Sequence, residues 1–233
     1  MKKNFLVRRK DSMTGKYTCR FTEELHFEKI KQLSKTVGVT INDIVMSSIC
    51  VSVSKLFREN GDQASKIRLV IPANVRFALY PTRESVKLEN RFTAIPLTLP
   101  ILDKKIYEVY EPIKKVTAVL KRKAYLVYGT FFLFRISQAL FPRELYRWML
   151  DFASRDYTLA FSNIPGPIKP FYYKKDSGEK VEANYFIPFM TVAGRVGLGI
   201  NCISFNKSFR VSVSADTGIL SESQVAGLVA SIE

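Results

Sequence analysis

The sequence predicts an α/β fold: a two-layer sandwich with helices packed on one face of a mixed sheet. Three observations lead there. Helical spacing and short apolar strand segments share one chain. The last two strand segments flank a two-residue turn and so run antiparallel. Gly194–Gly199, GRVGLG, lies at the entry to a strand rather than before a helix, so the glycine loop of a doubly wound nucleotide fold is missing.

The elements follow in order. Tyr17–Glu23 reads as a strand and Glu24–Val37 as a helix that Gly38 ends. Thr40 caps the next helix, in which Ile41, Ile44, Val45, Ile49, Val53 and Leu56 recur at helical spacing, and Asn60-Gly61-Asp62 stops it. Lys66–Val75 and Arg91–Leu99 are strands on either side of a polar loop. Lys104–Lys123 is helical, and Ala124–Ala153 is one or two helices broken near Pro142. Tyr157–Ile164 is a strand, and Pro165-Gly166 suits the centre of a type II turn. Tyr185–Thr191, Val196–Phe205 and Phe209–Ala215 complete the strands, the last two joined at Asn206-Lys207. Ser221–Ile232 is a closing helix with a Ser221/Gln224 capping box.

The 233 residues are 47% hydrophobic, enough for a sizeable core. No stretch reaches the ~18 apolar residues of a membrane span. The basic N-terminus has no apolar core beyond Phe5-Leu6-Val7, which argues against a secretory signal and leaves mitochondrial import open. Residues 1–18 read as a basic arm. Cys19, Cys50 and Cys202 are far apart, and His26 has no cysteine close by, which argues against a zinc site or a disulfide framework and for a reducing compartment. The net charge of +15 calls for an anionic partner. No RNP, KH or zinc-finger pattern supports nucleic acid.

Four features could carry chemistry. Asp43 stands three residues after Thr40 and suits a capping box, which leaves Asn42 unexplained. With Asn206-Lys207 as a two-residue turn, Gly197, Gly199 and Asn201 oppose Asp216, Ser214 and Ser212 on one small, polar face. Paired glycines there mark either a ligand or a helix crossing tightly over the sheet. Asn163 ends an apolar strand in SNIPGP, where its amide could line a pocket. The segment holding Phe131, Phe132, Phe134 and Trp148 is apolar and aromatic between basic residues. It suits a buried helix, a helix in a membrane interface, or the wall of an acyl-chain channel.

Thr40-Ile41-Asn42-Asp43-Ile44-Val45, Ile71-Pro72-Ala73-Asn74-Val75-Arg76, Glu89-Asn90-Arg91-Phe92, Asn163-Ile164-Pro165-Gly166-Pro167, Gly197-Leu198-Gly199-Ile200-Asn201 through Ser204, and Ala215-Asp216 occur in this order. From about Cys19 to the C-terminus they resemble the C-terminal domain of the wax ester synthase/diacylglycerol acyltransferase family. The resemblance implies a fold like chloramphenicol acetyltransferase and the other CoA-dependent acyltransferases, with residues 19–233 as the second of two related domains around a channel. It implies that acyl-CoA is a substrate rather than a cofactor, that the acceptor is a long-chain alcohol or diacylglycerol, and that the general base is a histidine of an HHxxxDG motif in the other domain. Asn42-Asp43 would then support the active site, while Asn163, Gly197, Gly199, Asn201, Ser212, Ser214 and Asp216 would bind substrate. The expected setting is intracellular, peripheral to a membrane such as the endoplasmic reticulum or a lipid-droplet surface. This chain departs from the family at one point: it holds no HHxxxDG, and Ile30 stands where the aspartate after His26 should be. Two expectations follow: a domain that works with a separate HHxxxDG half, or a lipid-binding scaffold that has kept the fold.

Overall fold

The computed structural model describes residues 4–7, 13–76, 89, 91–122, 124–167, 170–190 and 194–233. Strands β1 (Tyr17–Phe21) and β2 (Leu25–His26) lead into helices α1 (Phe27–Val37) and α2 (Ile41–Glu59). Then come β3 (Lys66–Asn74), β4 (Phe92–Pro100), α3 (Ile106–Arg122), α4 (Ala124–Leu140), α5 (Arg143–Ser154) and β5 (Leu159–Pro165). A small hairpin, β6 (Tyr172–Lys174) with β7 (Lys180–Glu182), precedes β8 (Leu198–Phe205), β9 (Ser208–Asp216) and α6 (Glu222–Ile232).

The main sheet runs β1-β9-β8-β5-β3-β4, with β2 also on β9. Its centre is parallel: β5 pairs with β3 at Leu69–Leu159 and with β8 from Ala160–Gly199 to Pro165–Ser204. The flanks are antiparallel, β3 with β4 and β8 with β9. Parallel neighbours need long crossovers, and α3–α5 supply the one between β3 and β5. This is the mixed sheet and helical layer that the sequence predicts.

The core lies between the sheet and α2 and α6. Leu198, Ile200 and Cys202 on β8 and Val211, Val213 and Ala215 on β9 form one cluster with Ile49, Val53 and Phe57 of α2 and Leu228 and Val229 of α6. Each of the valines, leucines, isoleucines and Phe57 among them contributes about 1.5–3 kcal/mol by leaving water. The α2–α6 contact is also polar: Ser48 and Ser52 donate to the carbonyls of Ile232 and Ser231, serving acceptors that a helix end leaves open. Burial pushes the Cys50 thiol up to about 12, and that of Cys202 up as well, so neither is a thiolate at neutral pH.

Local signals set the element ends. Gly38 adopts φ +65° and closes α1. Thr40 with Asp43, and Ser221 with Gln224, form capping boxes. Asn206 and Lys207 take φ of 43° and 68°, both positive as a type I′ turn requires, and Phe205 faces Ser208.

The structure departs from the sequence reading at several places. Residues 185–190 are not a strand, and Thr191 lies outside the described residues; their backbone crosses over the sheet instead of joining it. The helix expected from Glu24 begins at Phe27, because Leu25 and His26 pair with Phe209 and Ser208. Gly166 lacks the positive φ of a type II turn. It is small for another reason. Pro165 still belongs to β5 and pairs with Ser204, and a Cβ on Gly166 would sit 1.9 Å from the Ser204 carbonyl oxygen. Gly166→Ala is therefore expected to lower stability by about 2 kcal/mol in a urea titration, because backbone has to move.

The segment read as an arm packs on the domain where it is described. Leu6 is fully buried, Phe5 meets Phe57 edge-on at 5.6 Å, and Asn4 Nδ2 donates to Thr158 Oγ1 at 3.0 Å.

Candidate functional site

Asn42 is the second residue of α2, and the mouth of that helix meets the end of β5. There Asn163 Nδ2 donates to Asn42 Oδ1 at 2.5 Å, across 121 positions of sequence. Asn42 is exposed and Asn163 half-buried. The bond uses one acceptor and one donor, which leaves the Asn42 amide hydrogens and the Asn163 carbonyl oxygen able to meet a ligand. This arrangement accounts for an asparagine that capping could not explain.

Asp43 has a different job. It is 1% exposed. Its Oδ2 accepts from the Thr40 amide at 2.9 Å and the Thr40 hydroxyl at 2.7 Å, and its Oδ1 accepts from Thr117 Oγ1 at 2.5 Å. The carboxylate thus caps α2 and ties it to α3, and it holds Asn42 at the helix mouth from behind.

The small polar face of the hairpin has the predicted register: Gly199 lies opposite Ser214 and Asn201 opposite Ser212. It is covered by the chain itself. Ser212 Oγ donates to the Pro188 carbonyl, and Ser214 Oγ to the Met190 carbonyl at 2.6 Å. A Cβ on Gly199 would meet Met190 Cβ at 3.0 Å. No helix crosses this face; residues 188–190, an irregular segment, lie over it instead. Asn201 Nδ2 is buried there without a hydrogen-bond partner among the described residues.

Gly197 and Asp216 sit further along. A Cβ on Gly197 would come 1.8 Å from Ile219 Cδ1. Asp216 accepts from the Thr14 and Gly15 amides, the Thr14 hydroxyl and the Gly218 amide, all within 3.0 Å. Burial alone would raise its pKa; these four donors outweigh it and hold the carboxyl below the usual range. Asp216 thus fastens Thr14 and Gly15 to the sheet, and Gly197 leaves the room that Ile219 fills.

The structure therefore brings Asn42 and Asn163 together and separates them from the other candidates. Asn163 pairs with Cys202, whose side chain faces the helical layer, whereas Ser162 pairs with Asn201 on the opposite face.

The aromatic segment divides in the same way. Phe131 and Phe134 are half-buried; Phe132 and Trp148 are exposed. Beside them lies a groove of about 550 Å³ between edge strand β4 and helices α3 and α4. Ile95, Leu97, Val116, Val119, Leu126 and Val127 line it, with Lys115 beside them. Reading the sequence missed it. The apolar positions were visible, but which of them face a gap depends on how α4 docks on β4.

The family model of the WS/DGAT C-terminal domain matches residues 88–229. The chain belongs to this family. The match spans Asn163, the β8–β9 hairpin and α4–α5, and begins after Asn42. The WS/DGAT domain described here is 24% identical over 208 residues to an O-acyltransferase WSD of Acinetobacter baylyi, covering 83% of this chain and 40% of that protein. Its structure is similar to a wax ester synthase/diacylglycerol acyltransferase from Marinobacter aquaeolei, with a TM-score of 0.65 at 15% identity, over 97% of this chain and 50% of that one. It is also similar to the epimerization domain of the third module of tyrocidine synthetase B, with a TM-score of 0.60 at 12% identity, over 97% of this chain and 48% of that one. At such identities the structural likeness shows the fold alone. The WS/DGAT domain spans half or less of the length of these relatives.

Proposed function

We propose that this WS/DGAT domain is one half of an acyl-CoA-dependent O-acyltransferase that makes wax esters or triacylglycerol, and that it works with a separate HHxxxDG half. The observation that carries the reading is the Asn42–Asn163 pair, where two family-like segments meet at one helix mouth. In the reaction, a histidine of the other half takes the proton of the acceptor alcohol. The alkoxide oxygen attacks the thioester carbonyl carbon, and CoA leaves as the thiolate, which takes up the proton. The role of this chain is to hold substrate. The carboxamides of Asn42 and Asn163 supply neutral donors and an acceptor, and the +15 charge favours the phosphates of CoA. The apolar groove beside β4 suits an acyl chain. Because the acceptor is a lipid, the reading also places the domain at the periphery of an intracellular membrane.

A second reading is a lipid-binding scaffold that has kept the fold. It rests on His26, the one histidine of the chain, which lies on β2 opposite Ser208 and not in an HHxxxDG motif.

Calorimetric titration with a long-chain acyl-CoA, with free CoA alongside, tests the first reading. Saturable acyl-CoA binding is expected, weaker by about tenfold in Asn42→Ala, with an unchanged melting temperature because Asn42 is exposed and makes one hydrogen bond. Co-expression with a separate HHxxxDG half should give ester synthesis that Asn42→Ala reduces. Binding without any synthesis in that pairing would favour the scaffold.

A further inference from the structure

We propose that the outer face of the α4–α5 hairpin lies in the interfacial layer of a lipid bilayer that carries anionic headgroups. This rests on the lipid-surface reading above and names the surface that reading leaves open.

Helix α4 holds a single charged residue, Arg135, in seventeen. A helix so apolar belongs in a core or in lipid. In this fold it lies outside the core: Leu140 is 70% exposed, Leu133 68% and Phe132 59%. On α5, Leu145, Trp148 and Phe152 recur at i, i+3 and i+7 and are exposed as well, with Trp148 stacked on Phe152 at 5.5 Å. Half of each of these large side chains leaves on the order of 100 Å² in water, so together they exceed the few hundred Å² that a soluble monomer usually shows.

The hairpin is held by polar ties that leave this face unspent. Gln138 Nε2 donates to Tyr146 Oη at 3.0 Å. Arg195 grips Asp151 with Nε at 3.0 Å and Nη2 at 2.8 Å, and its amide donates to Ser154 Oγ. Both contacts fix α5 to the chain before β8.

Charge and residue type select lipid as the occupant. Arg135, Arg143, Arg147 and Arg155 stand on the hairpin or at its end; its acids are Glu144, Asp151 and, next to Arg155, Asp156, of which Asp151 is engaged by Arg195 and Asp156 by Arg155. Cations edging an apolar face suit anionic headgroups. Tyr125 and Trp148 are the aromatic types that gather at membrane interfaces. No single helix among the described residues is long and apolar enough to cross a bilayer, so the geometry is that of a helix pair lying in the plane.

Trp148 is the only tryptophan of the chain, so its emission reports on this face alone. Vesicles of phosphatidylcholine mixed with phosphatidylglycerol should shift that emission to shorter wavelength, and brominated acyl chains should quench it. Phosphatidylcholine alone should bind at least about tenfold more weakly. The double variant Phe132→Glu/Ile136→Glu, at exposed positions, should keep the melting temperature and lose at least about tenfold in vesicle affinity. No shift and no quenching would overturn the proposal, as would vesicle binding that survives the double variant. A dimer in sedimentation that the double variant dissolves, without any lipid effect, would assign the face to a second copy. Shielding of Trp148 by an HHxxxDG half that also blocks vesicle binding would assign it to that half. Acyl-CoA titration of the same samples separates the two readings: vesicle insertion with no acyl-CoA binding sinks the acyltransferase role and spares the membrane face, and the reverse result does the opposite.

Discussion

Asp43→Ala is expected to destabilise the domain by about 3 kcal/mol in urea unfolding at neutral pH. Two losses add. The capping box at the start of α2 contributes about 1 kcal/mol. The charge-assisted bond from Thr117 contributes about 2 kcal/mol more, because it joins α3 to α2 inside the protein, and its loss leaves the hydroxyl only the longer contact to the Lys114 carbonyl at 3.2 Å. Asp43→Asn should recover part of the loss, since an amide oxygen can still accept one of these bonds but its NH2 faces donors. Asn42→Ala, one residue away, should cost well under half as much, because its side chain is exposed. The contrast between neighbours is the test. If Asp43→Ala costs less than about 1 kcal/mol, the carboxylate is not the lock described here.

The second large effect is expected at the other end of the sheet. Asp216→Asn should cost about 3 kcal/mol near neutral pH, since an amide would turn N–H groups toward the Thr14, Gly15 and Gly218 donors. The pH dependence has a definite sign. The donors hold the folded carboxyl below its unfolded value near about 3.9, so its stabilisation is full above that value. It is lost as pH falls through the lower, folded pKa. The gap in stability between the native protein and Asp216→Asn should therefore stay flat from neutral pH down to about 5 and narrow below about 4. Limited proteolysis should cut the variant near residues 13–16, which the carboxylate fastens to β9. A gap that stays flat into strong acid would mean that the charge of Asp216 contributes nothing to the fold.

Both residues bear on how a site is read from sequence. Asn42 and Asp43 stand together in a family-like motif, and they differ in kind: one faces outward toward Asn163, the other is consumed by helix geometry and by Thr117. Asp216 belongs to such a motif too, yet its four bonds go to its own chain. Motif membership therefore marks positions that matter without saying whether they touch a ligand. For Gly199, Ser212 and Ser214, the answer came from residues 188–190, which cover them.

The sequence by itself determined the features whose causes lie within a few residues or repeat with a fixed period. Thr40 with Asp43 and Ser221 with Gln224 cap helices because a side chain reaches only three residues along. Asn206-Lys207 set the β8–β9 register because a two-residue turn leaves one pairing, and period two then assigned Leu198, Ile200 and Cys202 to the core face. The family was legible for a related reason, since ordered short segments survive in sequence when overall identity is low. The tertiary structure decided everything that depends on where a crossover lands. It joined Asn42 to Asn163, laid residues 188–190 over the glycines, brought Ser204 against Gly166, and turned Phe132 and Trp148 outward while Phe131 and Phe134 turned in. None of these follows from spacing, because each is a contact between segments whose relative placement is set by the packing of the whole sheet and its helices.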